Sequence, residues 1–145
     1  MVGYTDSDLA GDIDDRKSTT GVIYLLGENP VTWVSQKQLV VALSSCEAEY
    51  VAATTAACQG VWLGSLLGEL RSEKHVRATL KIDDKSAIAL TKIHYITKGV
   101  STSTLNIASL VIVFRRVTSK LSTRTEEQPV DILTKPLGRQ RFVKL

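Results

Sequence analysis

The sequence predicts an α/β domain whose mixed, five-stranded sheet is flanked by helices. The N-terminal part contains three short β-branched or apolar runs joined by turns, and a long alanine-rich segment with helical periodicity follows them. Later apolar runs alternate with helix-like segments. Short strands joined by turns form an antiparallel meander, whereas alternating strands and helices form layered α/β folds. The chain of 145 residues suits a single domain over residues 1–145.

The first three strands are assigned to Val2–Thr5, Gly21–Leu26 and Val31–Ser35. Their β-branched and aromatic residues favour extended structure. The segment Gly27–Pro30 has the composition of a turn, and Gly11–Thr19 is polar and turn-like. These short connections predict that the three strands form an antiparallel meander.

The alanine-rich segment predicts a long helix over Glu47–Leu70. Ser44 stands where an N-cap is expected, and Glu47 lies three residues later, as in a capping box. Glu49 shares one helix face with the alanines at positions 52, 53, 56 and 57, so it should face the sheet. Glu47 points away from that face. A break is expected near Gly60, since glycine costs about 1 kcal/mol inside a helix.

The remaining elements are predicted after the long helix. A fourth strand over Arg77–Ile82 places Asp83 at its carboxyl end, where α/β sheets usually carry binding groups. Apolar patterning predicts a short helix at Ser86–Lys92, a fifth strand within Val111–Ser122 and a final helix over Glu126–Leu133. Pro136 ends that final helix.

Composition excludes several classes of protein. No window approaches 18 uninterrupted apolar residues, so no membrane span is expected, and Asp6 and Asp8 argue against an N-terminal signal peptide. Cys46 and Cys58 lack CxxC spacing and are expected to be reduced, buried thiols of an intracellular protein.

Charge is unevenly distributed although the net value is only +3. No acidic residue occurs from Lys85 through Thr125, a stretch that contains seven lysines and arginines. A basic region beside an acidic cluster suits a polyanionic substrate, because phosphate contacts supply most nonspecific nucleic-acid affinity. A solvated basic face is the alternative explanation.

Four acidic residues in distinctive settings carry the functional hypothesis: Asp6, Glu49, Asp83 and Asp131. Carboxylates that converge from distant parts of a chain commonly bind Mg²⁺, a hard cation that prefers oxygen ligands. Two such ions about 4 Å apart can hold a phosphodiester for attack by water. We therefore expect metal-dependent nucleic-acid cleavage, with Mg²⁺ as cofactor and Mn²⁺ as the alternative.

Two competing interpretations of other residues are less favourable. A calcium loop starting at Asp12 would place Lys17 at the required glycine and Ile23 at the required glutamate, so a solvated turn is expected instead. Trp33 and Trp62 lie among apolar neighbours and are expected in the core, the alternative being platforms for base stacking.

Six segments together resemble the ribonuclease H domain of copia-type (Pseudoviridae-like) retrotransposon Pol polyproteins. They are GYTDSDLAGD (3–12), DRKSTTG (15–21), WVSQKQ (33–38), ALSSCEAEY (42–50), DDKSAI (83–88) and TEEQPVDILTKPL (125–137). The resemblance implies an RNase H-like fold and endonucleolytic hydrolysis of the RNA strand of an RNA–DNA hybrid. It places the family's catalytic carboxylates at Asp6, Glu49, Asp83 and Asp131, with Asp6 bridging two ions and Asp131 holding the second.

The resemblance also implies the substrate and the partners. Hybrids are recognised largely through backbone shape and 2′-hydroxyl groups, and four serines are candidates for such contacts: Ser7, Ser44, Ser45 and Ser86. The expected partners are the hybrid and the reverse transcriptase and integrase parts of the same polyprotein, without a membrane. The expected location is intracellular, either cytoplasmic in a virus-like particle or nuclear.

One segment, at about 98–123, departs from the family pattern. The family has a basic, aromatic helix there, whereas this chain has no basic residue between Lys98 and Arg115. A shifted and later restored reading frame would leave such a stretch. Two alternatives to the hybrid nuclease follow: a catalytically inactive, retrotransposon-derived remnant or hybrid-binding module, and a DNA-cutting or strand-transfer relative on the same fold.

Overall fold

The computed structural model describes residues 1–72, 76–82 and 129–143. In chain order its elements are β1 (Val2–Asp8), β2 (Thr19–Leu26), β3 (Asn29–Lys37), α1 (Ser45–Arg71), β4 (Thr79–Ile82), a 3₁₀ helix (Pro129–Leu133) and α2 (Arg139–Phe142). The helix expected at 86–92 and the fifth strand expected within 111–122 lie outside the described residues.

The four described strands form one mixed sheet in the order β3-β2-β1-β4. β1 and β2 pair antiparallel, as do β2 and β3, whereas β1 and β4 run parallel. The predicted meander and the mixed character of the sheet are thus confirmed. Strands β1 to β3 are longer than predicted because their pairing continues into polar residues, such as Asp8 opposite Thr19. Asp6, which directly follows the predicted strand Val2–Thr5, therefore lies within β1.

Helix α1 packs on the sheet through small side chains. Its buried residues include five alanines and the glycines at positions 60, 64 and 68. The expected break at Gly60 is wrong, since this glycine lies on the packed face, where the absence of a side chain lets the helix approach the sheet. The Ser44 hydroxyl accepts from the Glu47 N–H at 3.1 Å, and the Glu47 carboxylate accepts from the Leu43 N–H at 2.8 Å. The predicted N-cap is therefore confirmed.

The apolar composition of α1 is explained by this packing. By length and composition alone, Ser45–Arg71 is apolar enough to cross a membrane. Core helices pass the same test, and the alanine and glycine face of α1 is buried against β1, β2 and β4.

The core between helix and sheet is centred on Tyr24, whose side chain is fully buried. Its hydroxyl donates to the Ala56 carbonyl at 2.7 Å and so joins β2 to α1. Burial, with a smaller contribution from Cys58, raises the pKa of the Tyr24 phenol above its ordinary value. Gly3 pairs with Tyr24 across the β1–β2 ladder and leaves room for the ring.

Substituting Gly3 by Ala is expected to lower the free energy of unfolding by about 2 kcal/mol. A Cβ atom at Gly3 would lie 2.3 Å from Tyr24 Cε1, so the fully buried ring would have to shift. Gly138→Ala is the control, because a Cβ atom there meets nothing within 4 Å. Urea unfolding measures both; equal stabilities of the two variants would contradict this packing.

Both tryptophans and one cysteine lie outside the core, contrary to expectation. Trp33 is 63% exposed on β3, the outermost of the described strands on its side of the sheet, and Trp62 is 58% exposed on the side of α1 away from the sheet. Cys58 is exposed as well, whereas Cys46 is partly buried against the core. Local apolar neighbours misled the prediction, because helix and strand periodicity place these side chains opposite the buried ones.

Candidate active site

Asp6 is the buried carboxylate at the centre of the site. Its side chain points from β1 toward the 3₁₀ helix and is 3% exposed. The Thr134 hydroxyl donates to Asp6 Oδ2, and Lys135 Nζ lies 3.2 Å from the same oxygen. Two residues that follow the 3₁₀ helix therefore hold one carboxylate oxygen of the first strand.

Asp131 reaches the same place from the C-terminal part of the chain. It lies in the 3₁₀ helix, is 4% exposed, and its Oδ1 is 3.5 Å from Lys135 Nζ. Asp6 and Asp131 thus share one ammonium group although 125 positions separate them in sequence. The predicted final helix is a 3₁₀ helix over Pro129–Leu133 in the described part of the chain, and residues 126–128 of the prediction lie outside it.

A glycine in β2 lets the 3₁₀ helix approach the sheet. Gly21 pairs with Asp6 across the ladder. A Cβ atom on Gly21 would lie 2.6 Å from Thr134 Cγ2 and 3.1 Å from Val130 Cγ2, closer than side chains pack. The Ser35 hydroxyl also donates to the Leu133 carbonyl at 2.6 Å and ties the 3₁₀ helix to β3.

Glu49 lies at the start of α1 and contacts the strand residue next to Asp6. It is 7% exposed, and its Oε1 accepts from the Ser7 N–H at 2.9 Å. Gln38 supports this junction, because its Nε2 donates to the Ala48 carbonyl at 3.0 Å and to Ser7 Oγ at 3.3 Å. The alanine face of α1 therefore carries Glu49 to the strand residue that follows Asp6.

The structure describes only some of the other predicted site residues. Ser44 and Ser45 are exposed at the N-terminus of α1, where the Ser44 hydroxyl caps the helix. Asp83 and Ser86 lie outside the described residues. The last residue of β4, Ile82, pairs with Thr5, the residue before Asp6.

The donor set suits a hard cation. Asp6 and Asp131 are buried carboxylates that already share one positive group, and oxygen ligands of this type are those that Mg²⁺ prefers. Within residues 1–72, 76–82 and 129–143, however, no three His, Cys, Asp or Glu side chains converge on one point. The predicted cluster of four carboxylates therefore stays a prediction.

Electrostatics keep Lys135 charged. Burial alone would lower the pKa of its ammonium, but the charges of Asp6 and Asp131 outweigh this effect and raise the pKa above its ordinary value. At neutral pH the group between the two carboxylates is consequently a cation.

The acidic loop between β1 and β2 is a hydrogen-bonded turn. Asp12 Oδ1 accepts from the N–H groups of Asp14 and Asp15, at 2.9 and 3.1 Å, and its Oδ2 pairs with Lys37. The carboxylate thus caps its own loop and ties it to β3, in agreement with the predicted turn.

This loop gives the chain an acid-sensitive contribution to stability. The hydrogen bond from Lys37, followed by those from Asp15 and Asp14, lowers the pKa of Asp12 from 3.8 to about 2. Because the folded-state pKa is below the unfolded value, the contribution is present above pH 3.8 and is lost as pH falls toward 2. Urea unfolding between these pH values should therefore show a shallower loss of stability for Asp12→Asn than for wild type; identical pH profiles would contradict the assignment.

Several residues of the site had no predicted role. Gly21, Thr134 and Lys135 fall within the segments that carry the family resemblance, and so does Gln38. Their roles arise from contacts between distant elements, which a local pattern does not show. The available signal was their position within those segments.

Comparisons with known proteins agree with the fold and with these segments. No family model matches the chain. The retrovirus-related Pol polyprotein from transposon TNT 1-94 of Nicotiana tabacum is 39% identical over 145 residues, which cover 98% of this chain. The corresponding polyprotein from transposon RE2 of Arabidopsis thaliana is 32% identical over 96% of the chain. The chain spans only about a tenth of these relatives, 11% and 10% of their lengths.

Solved structures of LC11-RNase H1, isolated from compost by a metagenomic approach, share the fold. One superposes with a TM-score of 0.59 at 15% identity and covers 92% of this chain and 91% of its own. A second, in complex with RNA/DNA hybrid, gives 0.57 at 14% identity and covers 92% of each chain. At these identities the likeness establishes the architecture alone.

Proposed function

Because this chain is a ribonuclease H-like relative of the Pol polyproteins of plant copia-type transposons, we propose that it hydrolyses the RNA strand of RNA–DNA hybrids endonucleolytically. One observation carries the proposal: the carboxylates of Asp6 and Asp131, which are buried and distant in sequence, both contact the ammonium group of Lys135. A buried pair of this kind is poorly explained as a stabilising device, since burying charges is costly. A role in binding the metal ion that the cleavage reaction needs explains why the two buried carboxylates lie together.

In the proposed site, Asp6 and Asp131 would hold Mg²⁺ together with Glu49 and Asp83, with Mn²⁺ as the alternative ion. When bound, such ions lower the pKa of the attacking water and stabilise the leaving oxygen. The protein supplies rigid ligands. The Thr134 hydroxyl fixes one oxygen of Asp6, and the Ser7 N–H fixes one oxygen of Glu49.

The proposed substrate is an RNA–DNA hybrid, the ligand with which LC11-RNase H1 was solved in complex. Ser7, Ser44, Ser45 and Ser86 are proposed to contact the backbone or 2′-hydroxyl groups. The Ser44 oxygen already accepts from the Glu47 N–H, but its own proton remains available to a phosphate oxygen. Reverse transcriptase and integrase parts of a longer polyprotein, in the cytoplasm or the nucleus, are the proposed partners and setting.

The test is a cleavage assay with strand-labelled nucleic acids in Mg²⁺. We expect the wild-type chain to cut the RNA strand of a hybrid internally and to leave duplex DNA intact. Asp12→Asn is the matched control for the same substitution at Asp6, because Asp12 is an acid of the neighbouring loop that contacts Lys37 instead of the site. This variant should cleave at the wild-type rate.

Other results would identify the alternatives. Hybrid binding without cleavage would support an inactive remnant, for which the atypical segment at 98–123 is the sequence argument. Cleavage of duplex DNA would favour the DNA-cutting relative. Either result would overturn the proposed hydrolysis of RNA in hybrids.

A further inference from the structure

We propose that Lys135 is an exchangeable counter-ion of the Asp6–Asp131 pair. Its ammonium holds the two carboxylates together in the metal-free protein and must leave when a divalent cation binds them. This inference rests on the proposed function, because it assigns the same two carboxylates to the cation. It adds a residue that competes with the cation for this site.

The geometry places Lys135 between the carboxylates. Its Nζ lies 3.2 Å from Asp6 Oδ2 and 3.5 Å from Asp131 Oδ1. The side chains of the two acids are 4% and 5% exposed, so water screens their mutual repulsion poorly. A positive charge that contacts both lowers the energetic cost of keeping them adjacent.

Lys135 is also able to leave. Its side chain is 38% exposed, and four rotatable carbon–carbon bonds connect the ammonium to the backbone. The carboxylates are held more firmly, by β1 and by the 3₁₀ helix, and the Thr134 hydroxyl keeps its contact with Asp6. The ammonium can therefore move into solvent while the oxygen ligands stay in place.

A divalent cation and the ammonium cannot share this space. Like charges within a few ångströms repel strongly in a partly buried site. Lys135 should therefore stabilise the metal-free protein and weaken its apparent affinity for Mg²⁺. Removing the charge of Lys135 should therefore destabilise the metal-free protein and strengthen its apparent affinity for Mg²⁺.

The test follows thermal unfolding of the full chain as MgCl₂ is added, with no nucleic acid present. Without Mg²⁺, Lys135→Met should unfold at a lower temperature than wild type. Its half-saturating Mg²⁺ concentration should be lower by about tenfold, one unit charge being removed from the site. Lys135→Arg keeps the charge and should respond as wild type does.

Lys37→Met is the matched control, since it removes the same charge from a surface pair with Asp12. Its half-saturating Mg²⁺ concentration should equal that of wild type. If the Met variant does not fold without metal, Lys135→Gln replaces it, because the neutral amide still donates to one carboxylate.

The outcomes separate this inference from the proposed function. If Lys135→Met and wild type need the same Mg²⁺ concentration, or if the variant needs more, competition by Lys135 is excluded while metal-dependent cleavage stands. If Mg²⁺ stabilises neither chain, both the counter-ion role and the proposed metal site fail.

Discussion

Replacing Asp6 by Asn is expected to slow hybrid cleavage by at least about 100-fold, because metal-ion stabilisation of the transition state is worth several kcal/mol and each 1.36 kcal/mol is a factor of ten. Asn has nearly the same shape and keeps an oxygen that can accept from the Thr134 hydroxyl. What it removes is the charge that faces Lys135 and, in the proposed site, the central ligand for the cation. The loss should therefore appear in catalysis rather than in folding.

The measurement is the single-turnover rate of RNA-strand cleavage for Asp6→Asn, wild type and Asp12→Asn. The folded state of each chain is checked by circular dichroism and thermal unfolding at the assay temperature. Asp12→Asn removes a carboxylate from the nearby loop, where it contacts Lys37, and should cleave normally. A folded Asp6→Asn variant that retains even a third of the wild-type rate would rule out the assigned role of Asp6.

Gly21→Ala is expected to lower the cleavage rate by about 100-fold, since a displacement of about 1 Å at a catalytic group can cost this much. The added Cβ atom would lie 2.6 Å from Thr134 Cγ2, 3.1 Å from Val130 Cγ2 and 3.2 Å from Leu133 Cβ. Thr134 cannot rotate away without breaking its hydrogen bond to Asp6. The 3₁₀ helix, with its carboxylate, must therefore move off the sheet.

The same single-turnover assay tests Gly21→Ala, with Gly138→Ala as a control that adds the identical methyl group in open space. Overpacking should also reduce the free energy of unfolding by about 1–3 kcal/mol, so rates are compared at a temperature where both variants are folded. Normal cleavage by Gly21→Ala would show that close contact between β2 and the 3₁₀ helix is not needed for activity.

Local patterns predicted strands β1 to β4 and helix α1 because the signals for these elements are local, whereas α2 was not predicted. The β-branched residues of β2 favour a strand, and the alanines of α1 recur with the spacing of a helix face. Ser44 caps the helix as its sequence context indicates. The predicted ends of these elements were wrong where contacts between distant parts of the chain determine how far a strand or helix extends. β1 continues through Asp8 because β2 pairs with it, and α1 passes Gly60 because this glycine lies against the sheet.

The candidate site was predicted only as far as individual residue types could be recognised. Asp6, Glu49 and Asp131 were assigned from their sequence settings, and all three are buried. The contributions of Gly21 and Lys135 depend on contacts across more than 100 sequence positions. Such contacts produce no periodic pattern in the sequence, so they are visible only in the folded structure.

The most direct test of the whole account is anomalous diffraction from crystals of the chain soaked in Mn²⁺. We predict a strong anomalous peak bounded by carboxylate oxygens of Asp6 and Asp131, with the Lys135 ammonium displaced from between them. Carboxylates that lie apart in the crystal, or a Mn²⁺-soaked crystal without a peak beside Asp6, would contradict it.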